Sequence, residues 1–140
     1  MRYLGVDYGR KRIGLAVSDE AGKMAFPEGV IPNEKWTLDE IYTICSAHQI
    51  ETVVIGESKD FKGVDNKIME DAYIFMEKLK NHGLKVILEP EILSTVQARQ
   101  LEGVKKGMTD ATAATIILQS YLDRQQFKNG PPPVDKYTIN

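Results

Sequence analysis

Two apolar stretches joined by a tight turn constrain the fold of this chain more than any other feature. Residues 3–7 (YLGVD) are typical of one β-strand and residues 12–18 (RIGLAVS) of a second, with Gly9 in the turn between them. The first strand ends in an acid, Asp7, although an unpaired charge is costly to bury on an apolar strand. Two interpretations are open: Asp7 ligates a metal that acts on phosphates, or it caps the hairpin.

The pattern after this hairpin alternates between strands and helices. Pro27 lies inside the third predicted strand, which indicates an edge strand or a bulge. Thr37 and Glu40 have the spacing of a capping box, with Thr37 as the N-cap of a helix, and Gly83 has the position of a helix C-cap. The predicted order after the hairpin is strand 24–31, helix from Thr37, strand 52–56, helix 65–82, strand 84–88, a short helix from Ser94 and a last helix capped by Thr109.

This order predicts an α/β fold. We expect a mixed five-stranded sheet, with three antiparallel strands followed by two parallel strands, and helices on both faces. Parallel crossovers bring the ends of strands one, four and five to the same edge of the sheet, where such sheets bind ligands. The domain is expected to span residues 1–126, and residues 127–140, which contain three consecutive prolines, are expected to form a flexible tail.

Composition narrows the class of protein. With 140 residues the chain is long enough for one domain with a substantial core, and its one cysteine, Cys45, is best interpreted as a core residue. The formal net charge of -2 argues against a protein that coats nucleic acid indiscriminately. The chain begins directly with a strand, without the layout of a signal peptide, and no apolar run is long enough to span a membrane. We therefore expect a cytoplasmic protein without a membrane partner.

Three carboxylates fall at the ends of predicted elements that meet at one sheet edge. Asp7 ends the first strand, Glu91 follows the fifth strand, and Asp110 opens the last helix. Acids brought together repel one another, and a hard divalent cation such as Mg²⁺ relieves the repulsion because it prefers carboxylate oxygen. Glu91 and Asp110 also have a simpler interpretation, since each precedes or begins a helix whose dipole favours negative charge. The coincidence of three acids at one edge favours the metal site.

Three motifs resemble those of the YqgF family, a branch of the ribonuclease H-like superfamily that includes Holliday-junction resolvases. The resemblance runs from residue 1 to about residue 124. Residues 4–14 match the family's Leu-Gly-x-Asp-x-Gly-x-x-Arg-x-Gly motif, with Arg12 in the arginine position. The middle motif is matched by Glu91, Leu93, Ser94, Thr95 and Ala98, and the last by Asp110, Ala113, Ala114, Ile117, Leu118, Gln119, Tyr121 and Leu122. The resemblance implies a ribonuclease H-like sheet.

The chain departs from the family pattern near the middle motif. Pro90 stands where the family usually has aspartate, and Ile92 where it has arginine. Loss of the arginine removes a two-pronged donor for phosphate, so the departure concerns the grip on substrate more than metal binding. The loop after residue 56 also differs from the usual Gly-Leu-Pro, and it contains Glu57. This acid is either an auxiliary metal ligand or an exposed loop residue.

The resemblance implies a metal-dependent endonuclease. Asp7, Glu91 and Asp110 would be the catalytic residues and would hold one or two Mg²⁺ or Mn²⁺ ions for phosphodiester hydrolysis. The implied substrates are the ends of precursor 16S ribosomal RNA or branched DNA, which an RNA-trimming monomer or a junction-resolving homodimer would cut. The candidates for substrate binding are Lys11, Arg12, Lys59, Lys62, Ser94 and Thr95. Ser94 and Thr95 serve equally well as helix caps, and the lysines as ordinary solvated charges.

Two other functions are compatible with parts of the pattern. Phosphotransferases of the actin and sugar-kinase type also open with Asp-x-Gly on a hairpin, but they need a second domain that 140 residues cannot supply. A binding factor for nucleic acid without nuclease activity is compatible with Pro90, Ile92 and the acidic charge balance. Metal binding through Asp7 distinguishes the enzyme from the binding factor.

Overall fold

The computed structural model describes residues 1–56, 66–89 and 110–128. The predicted short helix from Ser94, the loop 57–65 and the tail 129–140 lie outside these ranges, so the predicted division at residue 126 stays a prediction. Within them the elements are β1 (Arg2–Tyr8), β2 (Arg12–Ser18), β3 (Ala25–Pro32), α1 (Thr37–His48), β4 (Ile50–Gly56), α2 (Asn66–Asn81), β5 (Lys85–Glu89) and α3 (Asp110–Lys128).

The five strands form one mixed sheet in the order β3-β2-β1-β4-β5. β1 pairs with β2 and β2 with β3 in antiparallel fashion, whereas β1 pairs with β4 and β4 with β5 in parallel. This is the predicted arrangement of three antiparallel strands followed by two parallel ones. The carboxyl ends of β1, β4 and β5 therefore lie at one edge, which we call the carboxyl edge.

Pro27 lies on a strand at the border of the sheet, as predicted, and next to a bulge. Leu15 of β2 faces Gly29 of β3, but the neighbouring Ala16 faces Pro27, so Glu28 is the extra residue. A bulge at the border tolerates proline because the missing N–H is not needed by a further strand.

Helices cover both faces of the sheet, and each face has its own core. On one face, α1 and α2 pack on aliphatic side chains of the strands; the fully buried members include Leu4, Val6, Ile13, Leu15, Ile41, Val53, Ile55 and Leu79. On the other face, α3 packs on smaller residues; its core comprises Ala16, Ala25, Val54, Ala114, Ile117, Leu118, Tyr121 and Leu122. Alternation along each strand separates the two sets. We call them the α1/α2 face and the α3 face.

Thr37 does not cap α1 in the predicted way. The N-cap position is Trp36, which makes no side-chain cap hydrogen bond. The hydroxyl of Thr37 instead donates to the carbonyl of Pro32 at 2.6 Å and accepts the N–H of Glu34 at 2.7 Å. The prediction of a capping box was wrong because this hydroxyl is used by the turn between β3 and α1.

Gly83 ends α2 as predicted. Its N–H donates to the carbonyl of Lys80 at 2.9 Å, and the N–H of Leu84 donates to the carbonyl of Leu79 at 3.2 Å. This pair of hydrogen bonds is the Schellman motif, which needs a residue with positive φ, and Gly83 has a φ of 103°.

Cys45 is a buried core residue, as predicted, and is 4% exposed. Burial raises the pKa of its thiol to about 11, because the thiolate is poorly solvated among apolar groups. Among the helices in the described parts of the chain, none combines the length and the apolar character needed to cross a bilayer.

Candidate active site at the carboxyl edge

Asp7 lies near the end of β1 on the α3 face of the sheet. It is half-buried and sits opposite Gly14 of β2. Its face follows from alternation along the strand, because Gly5, two residues earlier, packs directly against Leu118 of α3. The predicted metal-binding acid is therefore at the carboxyl edge and on the side where α3 lies.

Asp7 belongs to a row of residues that crosses three strands. Val6 is level with Ile55 of β4, so the parallel register places Asp7 beside Gly56, and Gly56 is level with Glu89 of β5. Neighbouring strands are about 4.8 Å apart. Asp7 and Glu89 are thus separated by a single residue without a side chain.

The direction of α3 brings its first residue to the same edge. The ring of Tyr121 packs on that of Tyr3 with centroids 5.6 Å apart, and Leu118 lies over Gly5, so the helix runs antiparallel to β1. About 16 Å of helix separates residues 110 and 121, and about 13 Å of strand separates residues 3 and 7. The backbone of Asp110 therefore lies near the level of Asp7, as the sequence predicts.

Two glycines allow α3 to approach the sheet closely. A Cβ added at Gly5 would lie 2.7 Å from Cβ of Leu118 and 2.9 Å from the carbonyl oxygen of Ala114. A Cβ added at Gly56 would lie 2.5 Å from Cδ1 of Ile117. Real side chains do not come this close, so the spacing between α3 and the strands depends on both glycines.

The turn that follows Asp7 is held by Asn33. The side-chain amide of Asn33 donates to the carbonyl of Gly9 at 2.8 Å, and its backbone N–H donates to the carbonyl of Lys11 at 2.9 Å. Gly9 is itself close to Arg12, because an added Cβ would lie 2.5 Å from the carbonyl oxygen of Arg12. Asn33 could not be identified from local sequence patterns, since its partners lie 24 and 22 residues away.

The same turn presents a cluster of positive charge. Arg10, Lys11 and Arg12 are all exposed, and they follow Asp7 within five residues. The structure thus places two of the predicted substrate-binding residues, Lys11 and Arg12, at the carboxyl edge. The remaining predicted binding residues, Lys59, Lys62, Ser94 and Thr95, lie outside the described residues, as do the predicted ligands Glu57 and Glu91.

Glu89 is a charged residue of this edge that sequence reasoning missed. Its side chain is 1% exposed, and Oε1 accepts a hydrogen bond from Nη2 of Arg124 on α3. Among the described residues, Oε2 is buried and has no hydrogen-bond partner. Burial raises the pKa of this carboxyl, and the charge of Arg124 opposes that shift. The sequence does contain a signal for this position. Glu89 follows Ile87 by two residues, so a strand that extends to residue 89 places both side chains on the α3 face.

The predicted ligands Asp7, Glu91 and Asp110 are all carboxylates. Carboxylate oxygens are the ligands that Mg²⁺ and Mn²⁺ prefer. In the part of the chain that the structure describes, no group of three or more histidine, cysteine, aspartate or glutamate side chains is arranged to hold a metal. Of the predicted ligands, Asp7 is described in full and Asp110 by its place at the start of α3.

Comparisons with known proteins agree on a family and a fold. The family described as RuvX, Holliday junction resolvase, matches residues 1–124. A protein of Chlamydia pneumoniae named "Putative pre-16S rRNA nuclease" is 37% identical over 134 residues, covering 86% of this chain and 89% of its own length. A protein of the same name from Sulfurihydrogenibium is 35% identical over 136 residues, covering 91% and 94%.

A solved structure supports the architecture independently of sequence. T. thermophilus RuvC, in complex with a Holliday junction substrate, superposes with a TM-score of 0.61 at 12% identity, covering 90% of this chain and 96% of that one. At this identity the likeness concerns the fold alone. It confirms the predicted fold class of a mixed five-stranded sheet with helices on both faces.

Proposed function

Since the chain belongs to the RuvX family of Holliday junction resolvases, we propose that it is a nuclease that hydrolyses phosphodiester bonds in structured nucleic acid. Membership of the family confirms the resemblance that the three sequence motifs indicated. The observation that carries the proposal is the position of Asp7, half-buried at the carboxyl edge beside the start of α3. A half-buried carboxylate at the end of an apolar strand, beside the helix that begins with Asp110, is best explained as part of a metal site.

The proposed ligands are Asp7, Glu91 and Asp110, with Glu57 as an auxiliary ligand. A Mg²⁺ or Mn²⁺ ion held there supplies Lewis-acid stabilisation of the phosphodiester and of the leaving oxygen. The fixed position of Asp7 on a paired strand keeps its carboxylate oriented before substrate arrives, which lowers the cost of assembling the site. The turn held by Asn33 limits the movement of the chain that follows Asp7.

The basic turn is the proposed contact with the substrate backbone. Lys11 and Arg12 are exposed at the carboxyl edge, where their charges favour phosphate. Lys59, Lys62, Ser94 and Thr95 extend this surface in the proposal. Because Ile92 replaces the family's arginine, we assign a larger share of phosphate binding to the turn and to the two loop lysines.

Precursor 16S ribosomal RNA is the substrate we favour, because the curated relatives carry that name. Branched DNA is the second candidate, and the description of the family supports it. The two substrates differ in the assembly they require: a junction resolvase cuts two strands and acts as a homodimer, whereas an RNA-trimming enzyme can work as a monomer. In either case we propose a cytoplasmic protein whose partner is nucleic acid.

Cleavage of two labelled substrates tests the proposal. The protein is incubated with a precursor 16S RNA end or with a four-way DNA junction, in the presence of Mn²⁺, Mg²⁺ or a chelator. Asp7→Asn is the test variant, and Asp39→Asn, the same change at an exposed residue of α1, is the matched control. We expect metal-dependent cleavage of the RNA that Asp7→Asn abolishes and Asp39→Asn retains.

The other outcomes separate the alternatives. Cleavage of the junction alone would identify branched DNA as the substrate. Binding of either nucleic acid without cleavage would favour the non-catalytic factor. Full cleavage by the Asp7→Asn variant would remove Asp7 from the proposed metal site.

A further inference from the structure

The buried residue at the carboxyl end of β5 is charged, not apolar. Of its five residues, Lys85 and Leu88 are exposed and Val86 and Ile87 are half-buried. The only side chain of this strand that is fully buried is the carboxylate of Glu89, at the carboxyl edge. In the described sheet, β5 is hydrogen-bonded to β4 alone. Val86 and Ile87 pack on the two cores, whereas the end of the strand consists of the exposed Leu88 and the buried Glu89.

The partner of Glu89 belongs to α3. Arg124, whose side chain is 44% exposed, donates to Oε1 of Glu89, while the buried Oε2 has no hydrogen-bond partner in the part of the chain that the structure describes. A buried ion pair is rarely the most stable solution, because apolar residues of similar volume usually stabilise a fold as well or better. The best-attested use of such a pair is to select one arrangement of the elements that it joins.

Glu89 does not face Asp7 directly, although both lie in the same row. Ile117 of α3 sits over Gly56, the residue between them, where an added Cβ would lie 2.5 Å from its Cδ1. The side chain of Ile117 therefore separates the two carboxylates. This arrangement argues against Glu89 as a metal ligand and for a role that acts through the position of the strand.

We propose that Glu89 is a positioning residue, whose ion pair with Arg124 holds the carboxyl end of β5 against α3. The pair thereby fixes β5 relative to α3, the helix that packs on Gly5 two residues before Asp7. Glu91 follows Glu89 by two residues in the sequence, so the point at which the chain leaves β5 bears on the metal site. The consequence for metal binding rests on the proposed function; the contact itself does not.

Neutralising both partners tests the proposal. Arg124→Met leaves the buried carboxylate of Glu89 without its ion-pair partner, whereas the double variant Glu89→Met/Arg124→Met leaves neither an unpaired charge nor an unpaired buried amide. We expect a lower Tm for the single variant and a Tm close to that of the wild type for the double variant. Glu77→Gln, which breaks the exposed ion pair of Glu77 with Lys80 at 3.6 Å, is the matched control.

Two measurements on the double variant distinguish positioning from mere stabilisation. Hydrogen exchange at the amides of residues 86–89 is expected to be about tenfold faster than in the wild type, with residues 3–6 of β1 unchanged. Mn²⁺ binding is expected to weaken roughly tenfold, and kcat to fall with KM little changed. The Glu77→Gln control is expected to match the wild type in both measurements.

The outcomes also separate this proposal from the proposed function. Wild-type protection at residues 86–89 in the double variant would overturn the positioning role, whatever the metal does. Faster exchange with wild-type Mn²⁺ affinity and kcat would overturn the link to the metal site. Failure of the wild-type protein to bind Mn²⁺ would refute the proposed metal site, while the exchange measurement would still decide whether the pair positions β5.

Discussion

The two faces of the sheet are packed with different chemistry. The α1/α2 face is filled by large aliphatic side chains that are fully buried, such as Leu4, Ile13 and Leu79. The α3 face is built on small residues, with Gly5 and Gly56 in direct contact with the helix, and it also carries the charged groups Asp7 and Glu89. One face supplies most of the apolar burial, and the other brings a helix and acids to one edge.

This difference indicates how stability and function are divided. Burial of large apolar side chains is the main stabilising term in a domain of this size. A close-packed contact through glycine, in contrast, stabilises less but fixes distances, since it has no flexible side chain to adjust. Substitutions on the α1/α2 face should therefore change the free energy of unfolding, and those on the α3 face should also change activity.

The largest effect on stability is expected from Leu79→Ala, on the α1/α2 face. Leu79 is fully buried in the core beneath α2. Its truncation should lower the free energy of unfolding by about 3 kcal/mol, through lost apolar burial and the remaining cavity. Urea denaturation measures this loss, and Mn²⁺ binding by the folded variant should stay unchanged. Weakened metal binding in the folded variant would contradict the division between the faces.

Gly5→Ala should lower both the free energy of unfolding and the nuclease activity. The added methyl group meets the carbonyl of Ala114 at 2.9 Å and Cβ of Leu118 at 2.7 Å, and neither atom is the free end of a flexible side chain. We expect a loss of about 2 kcal/mol in the free energy of unfolding as α3 moves outward. Nuclease activity should fall further than in Leu79→Ala under conditions where both variants are folded. Equal activities would indicate that the spacing of α3 is not critical.

Asn33→Ala should have a smaller effect on stability. The substitution removes the hydrogen bond from the side chain to the carbonyl of Gly9, so we expect a loss of about 1 kcal/mol. Because this bond holds the turn after Asp7, Mn²⁺ binding should weaken as well. Asn81→Ala, at the exposed end of α2, is the matched control and should leave metal binding unchanged. Identical Mn²⁺ affinities for the two variants would show that Asn33 does not support metal binding.

The smallest effect is expected from alkylation of Cys45 in the native protein. This residue lies on the α1/α2 face, away from the proposed site. With a pKa of about 11, roughly 0.1% of the thiol is ionised at pH 8 in the native protein, and only the thiolate reacts. Alkylation by iodoacetamide at pH 8 should be slow in the native protein and fast in urea, and it should accelerate as pH rises towards 11. Rapid native alkylation would show that this core opens readily.

Most of the fold was predictable from local patterns. The apolar runs located all five described strands to within one residue at most ends, and Pro27 and Gly83 indicated a bulge and a helix end that the structure confirms. These features depend on residues that are neighbours in sequence. The capping box at Thr37 was wrong, because the hydroxyl is taken by the carbonyl of Pro32 in the preceding strand.

The site was predictable only where sequence motifs specify it. Asp7 and the start of α3 at Asp110 lie at one end of the sheet, as the order of elements requires. The role of Glu89 was missed because the predicted strand stopped at residue 88, one residue short of the observed end, and because its partner is 35 residues away. Asn33 was missed for the same reason: its contacts depend on the folded turn.

The most direct test of the central claim is a Mn²⁺ titration of the wild-type protein and of Asp7→Asn, followed by calorimetry or by electron paramagnetic resonance. Asp39→Asn is the control, and Tm is measured for all three proteins. We predict that the wild type and Asp39→Asn bind Mn²⁺ with equal affinity, and that Asp7→Asn loses binding while its Tm stays close to that of the wild type. Equal Mn²⁺ affinity in the Asp7→Asn protein would contradict a metal site built on Asp7.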